Sequence, residues 1–101
     1  MGEGIAALAP LRARIDAVDA EIVRLLARRM EIVEEVIAIK ARAGIPAALP
    51  DRVEEVVRKA RREAEAAGVP ADLAETLWRA MVDWIIAYED GKLGPGAERT
   101  A

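Results

Sequence analysis

The sequence contains no cysteine and no histidine. Those two absences exclude disulfides, thiolate nucleophiles, imidazole acid–base chemistry and the commonest zinc sites, while the redox compartment stays open. Phenylalanine is absent as well, and only 3% of residues are aromatic although 53% are hydrophobic. A core must therefore come from Ala, Val, Ile and Leu, which is a helical composition. No long apolar run occurs. Charges interrupt every window well before the roughly 18 residues a membrane span needs, and residues 1–10 lack the basic start and apolar stretch of an export signal. No membrane partner is expected, and the cytoplasm is the expected location. An excess of positive charge is also missing: the formal net charge is −3 and the pI is near 5.0. The bulk field repels phosphate, which argues against nucleic-acid binding but not against a local cationic pocket for a small anion.

What the sequence does have is a long stripe. Leu11, Ile15, Val18, Ile22, Leu25, Arg29, Ile32, Val36 and Ile39 alternate four and three apart, the spacing of one face of an uninterrupted helix. At about 1.5 Å per residue, residues 11–39 span roughly 42 Å, far beyond the usual three or four turns. A chain of this size buries only about 60–65% of its unfolded surface, so so long a helix needs a second copy to cover it.

Gly2 and Gly4 are expected to weaken any earlier helix, and Pro10 suits the first turn of the one that follows. Gly44, Pro46 and Pro50 stop it near residue 42 and make a helix-to-helix connection. Asp51, with Glu54 three residues on, is a candidate capping box for a second helix carrying Val53, Val56, Val57 and Ala60 on one side. The charged residues on its other side read as solvated surface. Gly68 ends it. Pro70 and Asp72 open a third helix over about residues 71–90, with Leu73, Leu77, Trp78, Met81, Trp84, Ile85 and Tyr88 on a broad apolar face. The expectation is an all-α, three-helix single domain over residues 1–101, with an ordered core of about 8–90 and a flexible tail from 91.

Arg29 is the informative member of the stripe, because burying an unpaired guanidinium costs several kcal/mol and Arg cannot shed its proton. It reaches out of the seam or meets an anion there. Lys40, 11 residues on, returns to within about 20° of the same face and lies roughly 16 Å along the axis. Arg12 is about 25 Å away from Arg29 and roughly 100° around. It shares a ligand with Arg29 only if two long helices pack antiparallel across a two-fold axis. Arg52, after the two-proline loop, is aimed back toward Lys40 if that loop is rigid. Glu89, beside Tyr88 near the end of the third helix, would be favoured in its protonated, donating form next to an anionic ligand.

The run Leu11-Arg12-x-Arg14-Ile15-Asp16-x-x-Asp19-x-Glu21-Ile22-x-x-Leu25-Leu26-x-x-Arg29-Met30, with Ile39-Lys40 and Pro50-Asp51-Arg52-Val53, resembles the all-helical chorismate mutases and their isochorismate-pyruvate lyase relatives. The resemblance covers about residues 8–90. It implies an intertwined homodimer of three-helix subunits with two sites, each built from both chains. It also implies rearrangement of chorismate to prephenate or, alternatively, conversion of isochorismate to salicylate and pyruvate. A non-catalytic helical dimer with a structural or regulatory role is the alternative from another class. By the resemblance, Arg29 and Arg12 of the second chain grip a dicarboxylate substrate, Lys40 and Glu89 face its ether oxygen, and Arg52, Leu49, Val53 and Ile85 line the pocket. These are pericyclic steps, so no metal and no cofactor is expected. Leu49 and Val53 stand where mutases carry an aspartate and a glutamate near the ring hydroxyl. The lyase branch shares the valine, a run like Arg28-Arg29-Met30 and a tryptophan like Trp84, so the choice of substrate stays open.

Overall fold

A computed structural model describes residues 2–94, and these form three helices: α1 (Gly2–Ala43), α2 (Pro50–Ala67) and α3 (Ala71–Leu93). The chain divides after Val36 into two compact units. The first is the bulk of α1. The second holds the last turns of α1, the loop, α2 and α3.

In the first unit the stripe is laid bare. Leu11, Ile15, Val18, Ile22, Leu25 and Ile32 remain 48–59% exposed, a long contiguous aliphatic face. The helix begins nine residues before the expected start. Gly2 and Gly4 do not prevent it, and Pro10 lies inside it. The four residues before Pro10 are Ala6, Ala7, Leu8 and Ala9, among the best helix formers, and they offset the single hydrogen bond that proline's missing N–H forfeits.

In the second unit α2 lies against α3. Val57, Ala60 and Ala64 from α2 and Ala74, Val82 and Ile85 from α3 are all buried. Three of the six are alanines, which let the backbones approach closely. The expected Asp51 capping box does not form: Leu49 occupies the N-cap in extended conformation with no side-chain cap bond, and Pro50 takes the first turn. Proline's preset φ suits that position, and its absent N–H is one the helix would leave unpaired anyway. Glu54 turns instead to α3. At the other end Gly68 has φ 76°. Its N–H reaches Glu65 O at 3.2 Å while Val69 N–H reaches Ala64 O at 2.8 Å, the Schellman closure that favours glycine. Gly91 does not end α3. Gly94, with φ 71°, does. The expected tail beyond it falls outside the described residues.

The α2–α3 seam is flanked by ion pairs that the reading of that face as plain solvated surface missed. Arg79 donates from both terminal nitrogens to Glu54 at 3.0 Å and from Nε to Glu75 at 2.7 Å, and Arg61 reaches Glu75 at 2.7 Å and Asp72 at 3.3 Å. The Arg79 hydrogen bonds hold both Glu54 and Glu75 below their ordinary value of 4.5, with Arg61 a second donor to Glu75. A carboxylate whose folded value is depressed contributes stability above its unfolded value and loses it as pH falls through the folded one. Arg79→Met should therefore be less stable than the native chain in urea at pH 7, with the gap closing below about pH 4.5. A gap independent of pH would contradict this.

Candidate active site

A buried polar meeting between distant parts of the chain lies at the end of α1. Lys40 sits three residues before that helix stops, where a cation also suits the helix dipole. Its Nζ donates to Glu89 Oε1 on α3 at 2.8 Å and to the backbone carbonyl of Ala47 at 2.8 Å. The Lys40 and Glu89 side chains are only 11% and 8% exposed. Desolvating such a pair costs several kcal/mol per ion, which its mutual attraction only roughly repays. A buried pair is weak as a device for stability and well suited to presenting charge in a low-dielectric wall, where each contact to a ligand is worth more.

Local sequence explains how the two side chains arrive there. Glu89 follows Val82 and Ile85 on the buried face of α3 at helical spacing. Lys40 follows Val33 and Ile37, both buried, on one side of α1. Gly44, at φ 69°, turns the chain, and Ile45 N–H closes onto Lys40 O at 3.0 Å. This brings residue 47 back beside the lysine head.

Of the other expected site residues, Ile85 is buried one turn before Glu89. Leu49 and Val53 are joined by a backbone bond, Val53 N–H to Leu49 O at 3.1 Å. Leu49 is exposed and Val53 half-buried. Arg52 is exposed and pairs with Glu55, one helical turn on, rather than with anything near Lys40. A carboxylate three residues away on the same helix offers the shorter reach. Arg12 and Arg29 belong to the first unit, Arg12 exposed and Arg29 half-buried. Sequence reasoning missed Ala47, whose contribution is a backbone carbonyl.

A cavity of about 350 Å³ opens beside the same loop, lined by Pro46, Ala47, Ala48, Asp83, Ile86, Ala87 and Asp90. Its two charged residues are both carboxylates, the wrong sign for an anion, and the Lys40 ammonium is not among its walls. Among the described residues no helix is long and apolar enough to cross a membrane.

The sequence pattern of the family described as chorismate mutase type II matches residues 11–90. Among similar proteins, the T-protein of Enterobacter agglomerans is 44% identical over 88 residues, which is 87% of this chain and 24% of that protein. The T-protein of Haemophilus influenzae is 41% identical over 73 residues, 72% of this chain and 19% of that protein. This chain thus spans about a quarter or less of either T-protein. The isochorismate pyruvate lyase of Pseudomonas aeruginosa is 38% identical over 88 residues, and here the match takes in 86% of this chain and 85% of the other. Both kinds of relative align over most of the three-helix chain that buries Lys40 against Glu89, and the protein belongs to the chorismate mutase type II family.

Proposed function

We propose that the protein is a chorismate mutase, rearranging chorismate to prephenate in two equivalent sites of a homodimer. The observation that carries the reading is the buried Lys40–Glu89 pair, a cation held in a low-dielectric wall within a chain of this family. The reaction needs no nucleophile. It needs a dianion held in its compact reactive conformer and a donor where negative charge grows on the ether oxygen as the C–O bond breaks. Lys40 supplies that donor. Glu89 holds that ammonium in place, accepting from it through Oε1. Arg29, with Arg12 of the partner subunit, grips the two carboxylates through charge-assisted bidentate contacts.

The exposed stripe on α1 supports the dimer. Each half-exposed aliphatic side chain it would cover contributes on the order of 1 kcal/mol. An antiparallel partner also brings the second chain's Arg12 end over the Arg29 region, which one helix alone places about 25 Å away.

A second reading, isochorismate-pyruvate lyase, is favoured by the apolar side chains at Leu49 and Val53 and by the near full-length match to a lyase. Supplying chorismate and isochorismate separately distinguishes the two. Prephenate from chorismate supports the mutase, salicylate with pyruvate from isochorismate supports the lyase, and no product from either contradicts both.

A further inference from the structure

We propose that the loop of residues 44–49 is a positioning device for Lys40, with the Ala47 carbonyl and Glu89 together fixing the ammonium so that one N–H is left for an incoming anion. This rests on the reading of Lys40 as the donor to substrate. A lysine head on its four-carbon stem is a freely turning point charge with three donors and several freely rotating bonds. Here two of the three donors are committed, at 2.8 Å each, to Ala47 O and Glu89 Oε1. Tetrahedral geometry then sets the direction of the third. A donor aligned before substrate arrives costs no reorganisation during reaction, the condition under which such contacts lower barriers most.

The loop is built to keep that carbonyl still. Gly44 holds φ 69°, and Ile45 N–H is bonded to Lys40 O, so the loop is tied to Lys40 through both its backbone and its side chain. Ile45 and Leu49 each precede a proline, which disfavours helical conformation there. Leu49 accordingly sits at φ −125°, ψ 95°. Pro46 has its own φ locked by the ring. Ala47, between these restraints, is only 7% exposed. These restraints at Gly44, Ile45, Pro46 and Leu49 narrow the backbone freedom by which the carbonyl can swing away.

The test replaces the amide between Ala47 and Ala48 with an ester, by total synthesis of the chain with lactic acid at position 48. An ester carbonyl is a weaker acceptor, and the N–H removed from Ala48 makes no hydrogen bond among the described residues. Two readouts are taken on chains carrying ¹⁵N-labelled lysine: hydrogen exchange of the Lys40 ammonium without substrate, and kcat and KM on whichever substrate the native chain turns over. The expected result is exchange faster by roughly tenfold and kcat lower by roughly tenfold, with KM changed by less than about twofold, the scale of one charge-assisted hydrogen bond. Unchanged exchange overturns the proposal whether or not the chain is active. Faster exchange with unchanged kcat overturns it as well, because the hold would then have no bearing on the reaction. If the native chain turns over neither substrate while exchange accelerates, the positioning of Lys40 is supported and the enzymatic reading fails on its own.

Discussion

Replacing Lys40 with alanine is expected to lower kcat by at least about 10²–10³-fold, the usual loss when one preorganised donor to a developing negative charge is removed. The effect on KM should be smaller, because the donor matters most once the C–O bond has begun to break. Stability falls too. Glu89 is left with its carboxylate buried and without its cation, a loss on the order of 3–5 kcal/mol. The two effects separate in the double variant Lys40→Ala with Glu89→Gln, which removes the stranded charge. That protein should regain much of the lost stability in a urea titration while staying as slow as the single variant. If it regains turnover as well, Lys40 serves folding and not the reaction.

The second large effect is expected at the arginines. Arg29→Ala and Arg12→Ala should each lower kcat/KM by at least about 10²-fold, since each removes a charge-assisted contact to a carboxylate. Both variants should still form a folded helical dimer. Arg12 is exposed in the isolated chain, and both changes leave in place the aliphatic members of the stripe that a second copy would cover. Raised salt should weaken substrate binding in the native protein and do so less in either variant. Full activity in Arg29→Ala would remove the clamp from the account.

Periodicity made the architecture legible, and local rules made its ends misleading. The alternating four-and-three spacing over residues 11–39 announces a helix because one aliphatic face of that length has a single regular solution. Gly2, Gly4 and Pro10 each argue against an earlier start, yet α1 begins at Gly2. Those penalties are about 1 kcal/mol per glycine and about 3 for an interior proline, and tertiary or neighbouring propensity can outweigh them. Gly91 and Gly94 look alike in sequence, but only Gly94 takes positive φ. The resemblance pointed to Lys40 and Glu89 as separate members of one site. Their direct bond across 49 positions of sequence depends on how α3 packs, which no local pattern encodes. Arg52 is expected to line the pocket, and in the structure its guanidinium pairs with Glu55 on the same helix. The Ala47 carbonyl had no signal at all, because every residue carries one.

The claim on which the rest depends is that each site is assembled from two copies of the chain, and mixing inactive subunits tests it most directly. Arg12→Ala and Arg29→Ala chains are unfolded together, refolded, and the heterodimers isolated by differently tagged ends. In each heterodimer one site has both native arginines and the other has neither, so recovery to about half the native activity per dimer is the expected result. Heterodimers as inactive as either parent would contradict it.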